Sequence, residues 1–217
     1  TIQIEEKNGV MSYSASSPDE LAFVNFAKLV GYEYINTDAD QNMIVRIEGK
    51  GEVKYKLIHV LEFNSTRKRM SVIVRDSNGK LILLTKGADN IMLARMSKNN
   101  EKVMIDKINH ELTRFSAVGL RTLILAKREL DPNEFEAWNT KYMAASLELK
   151  DREEKMMDVQ EELEKEFMII GATAIEDKLQ DEVGETIHTL KNAGIKVWVL
   201  TGDKVETAIN IANACRL

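Results

Sequence analysis

The chain has 217 residues, and its 44% hydrophobic content is enough for a folded core and too high for a wholly disordered protein. Its formal net charge of −5 argues against a nucleic-acid-binding protein, which usually carries a basic surface. A lone cysteine, Cys215, excludes an internal disulfide and a thiolate zinc site, and the longest nearly apolar run (residues 167–175) is far shorter than the roughly 20 residues of a membrane-spanning helix.

The first part of the chain is predicted to combine a helix with several strands. Ser17-Pro18-Asp19-Glu20 has the pattern of a capping box, which opens a helix that Gly31 ends. A weak extended segment and four alternating strands are predicted over residues 1–15, 43–48, 53–60, 62–75 and 80–85. A basic bend, Thr66–Arg69, interrupts the third of these strands, and Asp76–Gly79 carries the Asn-Gly signal of a hairpin turn.

The middle of the chain is predicted to be mostly helical. Helices are expected over residues 88–97, 102–118 and 131 to about 166, with a strand over residues 121–128. Asp131-Pro132 repeats the pattern of an N-cap followed by Pro. Residues 151–166 hold eight acidic and three basic side chains, so we interpret them as a solvated helix face or an exposed connection without a binding role.

The last fifty residues follow the order strand, helix, strand and helix. These elements are predicted over residues 167–174, 181–193, 196–200 and 204–214. A strand, helix and strand with this spacing indicate a βαβ unit and the start of a parallel sheet. We therefore predict an α+β domain over residues 1–166 and a partial α/β domain over residues 167–217.

Two segments combine residue types that suit a nucleotide. The stretch 61–75 has four basic residues and one acidic residue beside Phe63, so a ring for stacking on adenine would lie near cations for phosphates. A core Phe and a solvated bend are the alternative interpretation. Lys86-Gly87-Ala88-Asp89 places a Lys at the end of a strand and ahead of a helix, where it could meet phosphate or simply be solvated.

Two later segments are further candidates. Arg121-Thr122 begins a strand and is uninformative alone. Leu200–Lys204 follows a predicted parallel strand, where α/β sheets bind ligands, so Thr201 and the N–H groups of Gly202 and Asp203 could hold a phosphoryl oxygen. The alternative is a plain loop in which Asp203 caps the next helix.

Several familiar catalytic patterns are absent from the sequence. It contains no GxxxxGK[ST] loop and no Ser–His–Asp pattern, and its three histidines (59, 110 and 188) show no metal-ligand spacing.

Taken in order, these motifs resemble the P-type ATPases. The motifs are Ser17–Glu20, Glu62–Ser71, Lys86–Ala88, Gly119–Leu123 and Thr201–Lys204. The sequence EFNSTRKRMS at residues 62–71, with SPDE before it and TGDKVETAINIA after it, is similar to the corresponding segments of the phospholipid-transporting branch. Cation pumps share KGA and TGD but usually differ around the Phe.

The resemblance implies an ATP site. Its residues would be Glu20, Phe63, Ser65, Met70, Lys86, Arg121, Thr122, Thr201, Gly202 and Asp203. Phe63 would stack on adenine, with Glu20 near the base and with Ser65 and Met70 lining the pocket. Lys86 would reach the base or the phosphates, and Arg121 with Thr122 would contact the phosphate tail. The Thr201–Asp203 segment would face the transferred phosphoryl group.

The resemblance also implies the fold and the parent protein. We expect an antiparallel sheet flanked by helices, the nucleotide-binding domain, followed by a partial βαβ unit of a haloacid-dehalogenase-like phosphorylation domain that Asp177-Lys178 would lead into. The phosphorylated Asp of a DKTG segment and the ligands of Mg²⁺ would lie in a longer protein, so this chain should bind ATP without hydrolysing it. The parent would be an integral membrane translocase that flips phospholipid toward the cytosolic leaflet.

The implied partners are ATP, Mg²⁺, a phospholipid, the membrane and an accessory subunit of the parent, with this monomeric domain in the cytosol and no nucleic acid. Three other hypotheses stay open: a cation-transporting P-type ATPase, a regulatory module without a ligand, and a phosphatase of the haloacid-dehalogenase type.

Overall fold

A computed structural model describes residues 2–7, 10–15, 17–176, 179–201 and 205–217. Its first element is a small antiparallel hairpin of strands β1 (Ile2–Lys7) and β2 (Val10–Ala15), followed by helix α1 (Pro18–Leu29). The hairpin forms where the sequence predicted only a weak extended segment.

The main sheet has seven strands, and every neighbouring pair is antiparallel and consecutive in the chain. The strands are β3 (Tyr32–Thr37), β4 (Asn42–Ile47), β5 (Gly51–Asn64), β6 (Arg69–Arg75), β7 (Leu81–Gly87), β8 (Arg121–Leu130) and β9 (Met168–Ile175). The remaining helices are α2 (Asp89–Ala94), α3 (Lys102–Ala117), α4 (Pro132–Ser146), α5 (Arg152–Leu163), α6 (Val183–Asn192) and α7 (Val205–Ala214). The predicted α+β class and antiparallel sheet flanked by helices are confirmed.

The hydrophobic core lies between one face of the main sheet and helices α2 to α5. Successive strand residues point to opposite faces, so alternate side chains of the central strands enter this core. Ile73 on β6, Leu83 on β7 and Ile124 on β8 are fully buried there. They belong to the same cluster as Met92 of α2 and Trp138 of α4. The other face of the same strands is left to build the cleft described below.

The two predicted helix caps have different outcomes. Asp131 accepts hydrogen bonds from the backbone N–H groups of Asn133 and Glu134, as predicted for the N-cap of α4. The capping box before α1 is wrong, because within the described part of the chain the Ser17 side chain makes no capping hydrogen bond. The carboxylate of Glu20 pairs instead with Lys86 on β7, an ionic partner that sequence spacing does not reveal.

The helical region predicted from residue 131 to about 166 is divided into α4 and α5. Asp151 has a φ of 55°, in the left-handed region, and stands at the start of α5. The two helices then pack against each other, where the Trp138 indole N–H donates to the Val159 carbonyl at 2.7 Å. A local break allows a helical hairpin that one continuous helix could not form.

The described residues do not confirm the predicted βαβ unit. Strand β9 is antiparallel to β8, with Ile124 opposite Ala172, and the described residues 195–200 form no strand. An apolar run suits a parallel or an antiparallel strand equally, so the sequence could not decide the pairing partner. The division into domains of residues 1–166 and 167–217 stays a prediction, although β9 shares the sheet of the residues before it. Among the described residues, no helix combines the length and apolarity that crossing a membrane requires.

Candidate functional site

A cleft of about 490 Å³ lies at one end of the main sheet. Strands β5 and β7 end there and β6 and β8 begin there, while the first turn of α1 forms another wall. The lining residues are Ser17, Asp19, Glu20, Phe23, Glu62, Phe63, Lys68, Met70, Lys86, Gly87, Ala88, Arg121, Thr122 and Leu123. Segments that are far apart in the sequence therefore meet at a single concave surface.

Phe63 is the exposed aromatic of this cleft. It stands near the end of β5, where the register with β6 shifts between Leu61 and Asn64, and 65% of its surface is accessible to solvent. This exposure excludes the interpretation of Phe63 as a core residue. An apolar ring left uncovered beside a cleft offers a face on which a planar ligand can stack.

Lys86 lines the cleft at the end of β7. Its ammonium group pairs with Glu20 and lies 5.0 Å from the centroid of the Phe23 ring. Burial lowers the pKa of Lys86, and the negative charge of Asp19 acts in the opposite direction. A half-buried cation held between a carboxylate and an aromatic ring is well placed to receive an anionic ligand.

Arg121 provides a second cation at the start of β8. Its Nη1 lies 3.3 Å from Oδ1 and 3.5 Å from Oδ2 of Asp19 in the first turn of α1. Thr122, the next residue, also lines the cleft. Lys86 and Arg121 are thus both contacted by acidic residues of the first turn of α1.

Gly87 lets two segments of the cleft approach each other. A Cβ atom at this position would lie 2.7 Å from the Cβ of Arg69 and 3.0 Å from the Lys68 carbonyl oxygen. The same carbonyl accepts a hydrogen bond from the backbone N–H of Ala88 at 3.0 Å. Glycine is therefore needed for close packing, which places Lys86 directly opposite Met70 in the β6–β7 register.

The basic bend between β5 and β6 is only partly directed to the cleft. Arg67 and Arg69 are buried, and both donate to the carboxylate of Glu164, which is itself fully buried after α5. Arg69 also reaches Glu161 at 2.6 Å. The prediction that this bend supplies several cations to a ligand is wrong for the two arginines, since only Lys68 lines the cleft.

The same contacts correct the interpretation of residues 151–166 as a solvated face. Glu164 accepts hydrogen bonds from Arg67 at 2.5 Å and from the Ser71 hydroxyl at 2.5 Å, and Ser71 contacts the Thr85 hydroxyl at 2.8 Å. Burial raises the pKa of Glu161, but hydrogen bonds from Arg69 and from a second arginine outweigh it and hold this pKa below its ordinary value. Part of the acidic run thus neutralises part of the basic bend inside the protein.

Some of the predicted site residues line the cleft and others do not. Met70 and Thr122 line the cleft with Glu20, Phe63, Lys86 and Arg121. Ser65 is exposed in the turn after β5, and Thr201 is exposed beyond α6; neither belongs to the lining. Gly202 and Asp203 lie outside the described residues, as does the predicted hinge Asp177-Lys178.

Eight lining residues were not among the predicted ATP-site residues: Ser17, Asp19, Phe23, Glu62, Lys68, Gly87, Ala88 and Leu123. Helical spacing could have found Phe23, which is four residues after Asp19 and so shares its face of α1. Strand alternation could have found Leu123, but nothing in the sequence separates Lys68 from its two arginine neighbours.

The described residues contain no group of three or more His, Cys, Asp or Glu side chains that could hold a metal ion. His59 was expected to be structural, and it packs against the rings of Trp138 and Tyr142 with centroids 5.8 and 5.0 Å away. Its Nε2 lies 2.7 Å from Oδ1 of Asn139.

Comparisons with known proteins identify the family that the chain is similar to. The family model described as P-type ATPase, cytoplasmic domain N, matches residues 2–182. The chain is 46% identical over 215 residues to Phospholipid-transporting ATPase C887.12 of Schizosaccharomyces pombe, covering 99% of this chain and 17% of that protein. It is 46% identical over 220 residues to Phospholipid-transporting ATPase 10 of Arabidopsis thaliana (99% and 18%). It is 45% identical over 212 residues to Phospholipid-transporting ATPase DRS2 of Saccharomyces cerevisiae (98% and 16%). The chain thus spans less than a fifth of the length of these relatives.

Proposed function

This chain belongs to the P-type ATPases, whose cytoplasmic domain N it matches, and we propose that it binds ATP in the cleft between α1 and the ends of strands β5 to β8. One observation carries the proposal: a largely exposed Phe63 stands beside three cations, Lys68, Lys86 and Arg121, in a protein of net charge −5. A ring and clustered cations are the two features that recognition of a base and its phosphates requires.

In the proposed complex, adenine stacks on Phe63 while Met70 and Phe23 contribute apolar surface. Base–aromatic stacking contributes on the order of 1–3 kcal/mol. Lys86 and Arg121 meet the edge of the base or the phosphate tail, and Thr122 offers a hydroxyl. The cleft volume of about 490 Å³ lies in the range of about 300–1,000 Å³ that is usual for ligand pockets.

We propose that Mg²⁺ accompanies the bound ATP. When bound, it neutralises phosphate charge for phosphoryl transfer. No clustered acidic set among the described residues suits a separate metal site, so the metal would be held by phosphate oxygens and by groups beyond this cleft. Ser65 remains a predicted pocket-lining residue, and Thr201, Gly202 and Asp203 remain predicted contacts of the transferred phosphoryl group.

We further propose that the whole protein is a phospholipid-transporting ATPase, which couples ATP hydrolysis through an aspartyl phosphate to phospholipid movement toward the cytosolic leaflet. The relatives reported above carry that name, which supports this proposal over a cation pump. This chain would then be a cytosolic domain of a membrane protein, with the phospholipid and an accessory subunit meeting other parts of it. Stimulation of purified full-length ATPase activity by phospholipid, with no stimulation by monovalent or divalent transport cations, tests this assignment.

Calorimetric titration of the 217-residue chain with ATP tests the binding proposal. We expect binding in the wild type and a loss of affinity of about tenfold in Phe63→Ala, which corresponds to the stacking energy. Phe26→Ala is the matched control, because Phe26 is 63% exposed on α1 and does not line the cleft. Absence of binding at millimolar ATP would refute the proposal, and equal affinities of Phe63→Ala and the wild type would refute the role of Phe63.

A further inference from the structure

Among the described residues, the charges that line the cleft are balanced. Three basic side chains, Lys68, Lys86 and Arg121, face it, and three carboxylates line it as well: Asp19, Glu20 and Glu62. A site for a polyphosphate would gain affinity from a positive surplus, because attraction grows with net opposite charge. The acidic side chains therefore need an explanation, since they offset the positive charge that a polyphosphate would favour. Asp19 is an acidic residue that contacts Arg121.

The contact between Asp19 and Arg121 is loose. A single nitrogen, Nη1, approaches both carboxylate oxygens, at 3.3 and 3.5 Å. A strong arginine–carboxylate pair is shorter and uses two parallel N–H groups. The Arg121 side chain is also 39% exposed. A contact of this kind supplies negative charge to the guanidinium group.

The negative charge of Asp19 also affects Lys86. This charge opposes the lowering of the Lys86 pKa that burial causes, so its field extends to the ammonium group. Glu20, the next residue, pairs directly with that group. The first turn of α1 therefore places a carboxylate close to both Lys86 and Arg121, the two cations that the proposed function places at the edge of the base or the phosphate tail.

We propose that Asp19 is an internal counter-anion that competes with the phosphates of ATP for Arg121. This inference rests on the proposed function. When ATP binds, its phosphates replace or oppose the Asp19 carboxylate, so part of the attraction of Arg121 is offset. Asp19 thereby weakens binding of the phosphate tail and leaves binding of the adenine base unaffected. The phosphate end of the nucleotide would be held less firmly than the base end, which suits a domain that presents the γ-phosphate to another group.

The experiment compares ATP with adenosine, which lacks phosphates, by calorimetric titration of the 217-residue chain. We expect Asp19→Asn to bind ATP about three- to tenfold more tightly than the wild type, as estimated for one removed charge in a partly solvated site. Adenosine affinity should be unchanged. The gain for ATP should shrink as salt is raised, since screening weakens exposed charges. Asp19→Ser serves as a second variant and should give the same direction.

Asp106→Asn is the matched control, because Asp106 is exposed on α3 and does not line the cleft. An equal gain in this control would show a general effect of net charge and would overturn the inference. Unchanged or weaker ATP binding in both Asp19 variants would also overturn it and would indicate that Asp19 orients Arg121. These results require a wild type that binds ATP; if the wild type does not bind, the proposed function fails and this inference fails with it.

Discussion

Glu164 is the residue whose substitution should destabilise the fold most clearly. Its carboxylate is fully buried and accepts hydrogen bonds from Arg67 at 2.5 and 3.3 Å, from Arg69 at 2.7 Å and from Ser71 at 2.5 Å. Glu164→Gln removes the negative charge and replaces one acceptor oxygen with an NH₂ group that faces other donors. Of the two buried guanidinium groups, Arg69 then keeps the half-exposed Glu161 as a carboxylate partner, and Arg67 keeps none among the described contacts.

The expected loss in the free energy of unfolding is about 3–5 kcal/mol, which is typical when one partner of a buried ion pair is removed. With a urea dependence of about 2–3 kcal/mol per molar, the unfolding midpoint should fall by about 1–2.5 M. Urea titration followed by far-UV circular dichroism measures this shift. If Glu164→Gln is too unstable to purify, Glu161→Gln should give a smaller fall in the same direction.

Glu162→Gln is the matched control for this prediction. Glu162 lies at the same end of α5 but is exposed, and its partner Lys141 is exposed as well, at 2.7 Å. Such a surface pair contributes about 0–1 kcal/mol. If Glu164→Gln and Glu162→Gln shift the midpoint equally, the buried contacts do not stabilise the native state and the reasoning is wrong.

Two further predictions concern packing and pH. Gly87→Ala should destabilise the chain by about 1–3 kcal/mol and weaken ATP binding, because its Cβ would lie 2.7 Å from the Cβ of Arg69. Gly171→Ala is the control, since a Cβ at Gly171 meets nothing within 4 Å, and it should change neither property. Urea titration measures the stability and calorimetric titration the ATP affinity. Hydrogen bonds from the backbone and side chain of Asn42 hold the pKa of Asp38 at about 2. The folded-state pKa is lowered, so this contribution is present above pH 4 and is lost as the pH falls toward 2. The urea midpoint of Asp38→Asn should therefore depend less on pH than that of the wild type between pH 5 and 2, and parallel profiles would contradict this.

The sequence correctly predicted the elements whose ends are marked by residues typical of helix ends and turns. Gly31 ends α1, Asp131 caps α4, and the turn at Asp76–Gly79 connects β6 to β7. Strand β3 (Tyr32–Thr37) was not predicted, since it follows Gly31 directly and has no clear alternation in burial. The partner of β9 could not be predicted either, because pairing with β8 depends on contacts between distant segments.

For the candidate site, the sequence indicated six of the residues that the structure brings to the cleft: Glu20, Phe63, Met70, Lys86, Arg121 and Thr122. It failed where ionic partners decide which way a side chain points. Glu20 has the spacing of a capping residue, yet it pairs with Lys86 across more than sixty positions. Long-range ion pairs leave no periodic trace in a single sequence, so their effect on the site appears only in the folded chain.

The three consecutive cations at residues 67–69 show how these partners determine the electrostatics of the cleft. Without Glu164, all three would be candidates to face a polyphosphate, since arginine binds phosphate at least as well as lysine. The buried carboxylate withdraws Arg67 and Arg69 into the core and neutralises them there. Lys68, between them, has a φ of 51° and faces the cleft. Asp19 and Glu20 of α1 then contact two of the remaining cations, Arg121 and Lys86, and Glu62 of β5 adds a third carboxylate to the lining. Acidic residues in the first turn of α1 and directly after α5 therefore determine much of the charge that a nucleotide meets in the cleft.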